Sequence, residues 1–266
     1  GWSGDASGTA DPLSVTMDAN KTIVANFAPI VITHTLAVTT TGNGSVAKNP
    51  DLANYAHGSL VELTATPAPH HSLVAWSGDA TGTANPLLLT MDADKVVTAT
   101  FAIDTHPLTV NVVGDGSVGR SPDLPTYPHG SSVELTATPA LGYTFVGWSG
   151  DATGTANPLT VVMDAAKNVT ATFAVATYPL GVAVVGSGSV RRDPDLASYA
   201  HGSVVQLSAT PAPGWLFTGW SGDATGTSTP VNVVMDAAKN VTATFVNGAG
   251  HEAYGEGCYD LDLESF

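Results

Sequence analysis

The segment VVMDAAKNVTATF occupies residues 161–173 and returns unchanged at 233–245, 72 positions later. An identical return over a fixed interval marks a tandem repeat, and a repeat sets the architecture before any local reading does. Outward from this segment, Phe27, Phe101, Phe173 and Phe245 stand 74, 72 and 72 residues apart, and Trp2, Trp76, Trp148 and Trp220 keep the same intervals. The two extra residues fall in the first junction, between Phe27 and Leu36. The chain therefore divides into the C-terminal half of a repeat (1–29), three whole repeats (30–101, 102–173 and 174–245) and an acidic, non-repeating tail (246–266). Gly1 falls inside a repeat, so the sequence is expected to be a piece of a longer protein, with any targeting signal upstream.

The middle repeat reads as short strands separated by breakers. Leu108, Val110 and Val112 alternate with polar or small residues, as do Val133, Leu135 and Ala137, and an apolar period of two marks a half-buried strand. Between them, Gly114-Asp115-Gly116-Ser117 supplies a hairpin turn, and the prolines of 121–125 cannot donate to a central ladder. Bulk on both faces of Tyr143, Phe145 and Gly147 against Thr144, Val146 and Trp148 predicts a central strand. A polar loop over 149–158 leads to Leu159, Val161 and Met163, and Asp164-Ala165-Ala166-Lys167 turns the chain into Val169, Ala171 and Phe173. No helix-period stretch longer than a turn or two interrupts this pattern. The expected fold is all-β, in β-grasp-like or small β-sandwich modules of about 72 residues arranged as an elongated rod. A module this small buries its own core with difficulty, and Tyr127, Tyr143, Phe145, Trp148 and Phe173 are the rings expected to fill it. The short, proline-bearing junction 174–179 predicts a semi-rigid connection, with each module about 30 Å across.

Charge and composition narrow the functional classes. With 23 acidic against 8 basic residues the formal net charge is -15, which repels nucleic acid and anionic membranes and leaves no basic stripe for phosphate contacts. No apolar run approaches the roughly 20 residues of a membrane-spanning helix. The single cysteine, Cys258, lies in the tail, so no intrachain disulfide is possible and packing must hold the fold.

Three motifs recur in the same order in each whole unit: 142–151 (GYTFVGWSGD), the turn Gly114-Asp115-Gly116-Ser117-Val118, and the closing 167–173 (KNVTATF). The pattern resembles the divergent internalin B-type repeat family of bacterial surface proteins, over residues 1–245. The resemblance implies a small β-rich module, secreted or surface-attached, that serves as stalk, spacer or adhesive segment and carries no catalytic residues. The first whole unit departs from it around His70-His71, and a looser core is expected there.

Each polar feature that stands out comes in several copies, which argues for repeated structural roles and against an enzyme, since catalysis needs one singular cluster. The tryptophans are read as core anchors in preference to carbohydrate-stacking rings. The loop 151–158 carries oxygen-rich side chains, which makes Asp79, Asp151 and Asp223 weak calcium candidates. One carboxylate per loop falls short of a hard cation's six to eight oxygens, and an Asx-type turn is the preferred reading. His57, His129 and His201 each precede a glycine and read as turn residues with local ring contacts, one per unit being too few for zinc. Thr136 and Thr138, with Thr170 and Thr172, form Thr-x-Thr pairs that suit a strand surface, with an ice- or polysaccharide-binding array as the sharper reading. Asn20, Asn43, Asn168 and Asn240 head glycosylation-type sequons.

The expectation is an extracellular or cell-surface structural segment of a secreted bacterial protein, acting as stalk, spacer or filament subunit. The alternative is an adhesion module binding glycan or host protein. The half repeat at 1–29 exposes strand edges, which suggests self-association by strand complementation.

Overall fold

The computed structural model describes residues 1–248, and every regular element among them is a β-strand. Cys258 and most of the expected tail lie outside the described residues. The chain forms two compact units, which divide between Asp104 and Thr105.

The first unit opens with β1 (Trp2–Gly4) and β2 (Ile23–Ala25), an antiparallel pair that forms the half repeat. A whole repeat follows: β3 (Thr33–His34), β4 (Leu36–Thr41), β5 (Gly44–Asn49), β6 (Tyr55–Ala56), β7 (Leu60–Pro67), β8 (His71–Gly78), β9 (Leu87–Thr90) and β10 (Lys95–Ile103). Two three-stranded sheets result. One is ordered β4-β10-β8, with β4 parallel and β8 antiparallel to β10; the other is the antiparallel β5-β7-β9. The two-residue strands β3 and β6 form a small ladder of their own.

The local alternation of the sequence explains why these sheets face each other. On β7, Val61, Leu63 and Ala65 are buried while Thr64 and Thr66 are exposed; on β10, Val97, Ala99 and Phe101 are buried. These two apolar faces meet in one core with Leu36, Tyr55, Trp76, Leu89 and Met91. Full burial of each large apolar side chain stabilises the fold by about 1.5–3 kcal/mol. The small sandwich, of the two architectures expected, describes this arrangement. The looser core expected for the first whole repeat is not seen, because Trp76, Phe101 and Met91 are as buried as their counterparts in the later repeats.

The second unit builds the same module twice. Lys167–Val175 lies between Leu108–Val113 and Tyr143–Gly150, and Ser132–Pro139 lies between Gly116–Ser121 and Leu159–Val162. In the last repeat Lys239–Asn247 and Val204–Pro211 hold the same central places. Each repeat closes its own core. Within this unit the two repeats meet through backbone: the Ala176 N–H donates to the Gly142 carbonyl at 2.8 Å, and the His201 N–H donates to the Ala176 carbonyl at 2.8 Å. Gly142 has a φ of +78°, and a Cβ there would sit 2.3 Å from the His201 ring, so the contact requires glycine.

One sequence expectation needs correction. Tyr143–Gly150 is an edge strand, and Lys167–Val175 is the central one. The pairing shifts between Phe145 and Gly147, leaving Val146 as a bulge. A bulge reverses which face the following residues take, so Phe145 and Trp148 end on the same side with ring centroids 5.1 Å apart. Bulk on both apparent faces therefore came from a change of face within one edge strand. β10 continues to Ile103 and its last counterpart to Asn247, two residues beyond the cuts read after 101 and 245.

Candidate functional site

The loop after each core tryptophan is the most polar recurring feature, and its polar atoms are directed back onto the module. The Trp148 backbone N–H donates to the Gly154 carbonyl at 2.7 Å, and its indole Nε1–H donates to the Ala156 carbonyl at 2.8 Å. Trp76 and Trp220 repeat the indole bond to Ala84 and Ser228, so each buried ring keeps its one donor satisfied. The calcium candidates hold strands together: Oδ2 of Asp79, Asp151 and Asp223 accepts the N–H of Val96, Asn168 and Asn240, each at 2.6 Å. The N–H groups of the same aspartates donate to those residues' carbonyls at 2.9 Å. Each carboxylate thus clamps the start of the central strand 17 residues further along the chain, a contact across strands where the sequence suggested a local Asx-type turn. Among the described residues no group of three or more His, Cys, Asp or Glu is arranged to hold a metal ion.

One further loop residue does structural work that its sequence context does not announce. Asn157 Oδ1 accepts the Ala137 N–H at 2.9 Å and its Nδ2 donates to the Ala137 carbonyl at 2.7 Å. The side-chain amide therefore acts as one residue of an extra strand beside Ser132–Pro139. Asn85 does the same for Ala65, and Thr229 supplies only the acceptor, to the Ala209 N–H at 2.8 Å.

The turn histidines have partners that single-unit counting missed. His34 Nε2 lies 3.0 Å from His57 Nδ1, and His106 Nε2 lies 3.2 Å from His129 Nδ1. The pairing of β3 with β6, and of Thr105–His106 with Tyr127–Pro128, brings them together. In the last repeat Tyr178 replaces the first histidine and meets the His201 ring edge-on. The signal was present as a Thr-His or Thr-Tyr dipeptide 23 residues upstream of each turn histidine, but the junctions gave no reason to read it as a strand.

The threonine pairs do not combine into one array. Thr136 and Thr138 face outward on the antiparallel sheet, whereas Thr170 and Thr172 are half-buried on the central strand of the mixed sheet. A shallow depression beside the bulge is lined by Val146, Trp148, Ser149, Thr155 and Thr172 together with glycines, and offers no carboxylate, imidazole, thiol or amine.

The recurring features define a module, and the match that decides its identity covers nearly all of the chain: the divergent InlB B-repeat domain family matches residues 1–31, 34–105, 106–177 and 178–249. The chain belongs to the divergent InlB B-repeat family. The whole InlB B-repeats begin and end four residues later than those read from the aromatic spacing, and the half repeat ends two residues later. The family is typical of bacterial surface proteins. No curated relative matches the chain. No helix among the described residues is long and apolar enough to cross a membrane.

Proposed function

We propose that this chain is a load-bearing, non-catalytic spacer of a bacterial surface protein, an extracellular stalk segment that holds another part of that protein away from the cell. The observation that carries the reading is the parallel pairing of β4 with β10, the first and last long strands of the repeat. Both later repeats pair their strands likewise, Leu108–Val113 with Lys167–Val175 and Leu180–Val185 with Lys239–Asn247. Tension on the ends of a repeat pulls two parallel terminal strands along their own axis in opposite directions. Their ladder hydrogen bonds are then loaded together in shear, whereas a hairpin pulled at its open end loses them one at a time. Membership of a family typical of surface proteins and the repetition of each polar feature support the same role.

Single-molecule stretching tests it. Three unfolding steps of equal length are expected, each somewhat under the roughly 240–260 Å to which 72 residues extend. The Lys167 N–H donates to the Pro107 carbonyl, so the odd-numbered residues of Leu108–Val113 face the central strand; Asn111→Pro removes a ladder donor from the parallel pair of the second whole repeat and is expected to lower the force of one step in three. Extension without resolved steps, or an unchanged force in the variant, would count against a load-bearing role.

A further inference from the structure

The short ladder that opens each whole repeat sets two side chains against each other. In the first whole repeat His34 pairs with Tyr55, two residues before His57, and the His57 N–H donates to the Ile32 carbonyl at 2.9 Å. Gly58, at a φ of +78°, turns the chain and donates to the Met91 carbonyl at 2.8 Å. Backbone bonds on both sides thus hold His34 Nε2 3.0 Å from His57 Nδ1. The next repeat rebuilds the arrangement on Thr105–His106 and Tyr127–Pro128, with His106 Nε2 3.2 Å from His129 Nδ1. The count of one histidine per unit, too few for zinc, becomes two.

Two imidazole nitrogens at this distance share one proton. The same two atoms suit a metal ion. Nitrogens bound to one ion at about 2.0–2.1 Å, at angles from a right angle to the tetrahedral one, stand roughly 2.8–3.4 Å apart. Both observed separations fall in that window. With each N–H on the outer nitrogen, Nδ1 of His34 and Nε2 of His57, both inner lone pairs are free and no net proton is lost. A turn of the two rings then aims them at one ion beside the line that joins them. Asp92 lies within electrostatic reach of His57, Asp94 of His34 and Asp164 of His129. Lys95 and Lys167 already hold Asp92 and Asp164, so these carboxylates act as nearby charge and not as ligands. We propose that His34 with His57, and His106 with His129, each bind one imidazole-preferring divalent ion of the zinc, nickel and copper class. Water completes each shell, because no third protein ligand converges there among the described residues.

The last repeat is a built-in comparison. Tyr178 takes the place of the first histidine on the same ladder, and Nδ1 of His201 is buried with no hydrogen-bond partner. A phenol, with a pKa of about 10, keeps its proton at neutral pH and is a poor ligand. Three whole repeats therefore carry two sites. The inference is independent of the tensile role.

Equilibrium dialysis of the untagged full chain against zinc at pH 7.5, with imidazole nitrogen resonances followed by NMR, tests the proposal. The parent is expected to hold two more ions than the double variant His34→Tyr, His106→Tyr, and each single variant to lose one, its remaining histidine binding at least tenfold more weakly. Tyrosine is the residue that the last repeat already accommodates at this position. Tyr178→His is expected to gain one ion, a result that misfolding cannot mimic. The tail's His251 and Cys258 are present in every variant, so zinc held by them cancels in the comparison. Equal zinc in the parent and the double variant would overturn the proposal, as would a changed count that leaves the resonances of His34, His57, His106 and His129 unmoved.

Discussion

At the scale of single residues, the Gly-x-Gly turn and the phenylalanine that closes each repeat are one device. A Cβ on Gly44, Gly116 or Gly188 would fall 2.6 to 2.7 Å from ring carbons of Phe101, Phe173 or Phe245, a distance that no packed carbon tolerates. The ring lies on the bare backbone of the turn, which is why residues 57 positions apart recur together. Gly116→Ala is expected to cost about 1–3 kcal/mol through overpacking. Gly119→Ala, whose Cβ would meet its nearest neighbour at 3.9 Å, should leave stability unchanged. Urea unfolding of the two variants beside the parent chain checks both. This pairing was only half legible in the sequence. The glycines announce a turn, but the ring that fills it arrives from the far end of the repeat.

At the scale of elements, alternation with a period of two was readable because it is local: Val133, Leu135 and Ala137 face the core as their spacing predicts. The order of strands was not readable, because it depends on which partner each strand meets. The bulge at Val146 shows the reason, since an unpaired residue exists only relative to the strand opposite and leaves the composition of its own strand unchanged. The side chain that extends the sheet beside Ser132–Pro139 belongs to the same class of hidden feature. Asn157 engages both backbone groups of Ala137, and Thr229 engages only one at Ala209. Thr229→Asn should therefore add a donor to the Ala209 carbonyl and stabilise the last repeat by about 0.5–1.5 kcal/mol. Asn157→Ala should destabilise its repeat by about 1–3 kcal/mol, because two partly buried backbone groups lose their partner. Thermal unfolding of both variants distinguishes gain from loss.

At the scale of the whole molecule, the net charge of -15 is carried by a fold that uses its few cations at fixed points. Lys95, Lys167 and Lys239 each pair with the aspartate three residues earlier. The hydrogen bond from the lysine holds the carboxyls of Asp92, Asp164 and Asp236 below the ordinary carboxylate range. A carboxyl lowered in the folded state contributes stability above its unfolded value, near 3.9, and that contribution is lost as pH falls through the lower folded value. Stability is therefore expected to decline with acid below about pH 4. The triple variant Asp92→Asn, Asp164→Asn, Asp236→Asn should show a shallower decline, as measured by urea midpoints across an acid series. The identical segments 161–173 and 233–245 carry a different consequence. Each supplies the first seven residues of the strand on which its repeat closes, so Leu108–Val113 finds the same Lys-Asn-Val-Thr-Ala-Thr-Phe partner in its own repeat and in the next. Nothing in that strand tells the two apart. A chain refolding after extension must choose between them by proximity alone, and the wrong choice loops out an intervening module: identity between neighbours makes the array easy to lengthen by duplication and easy to misassemble.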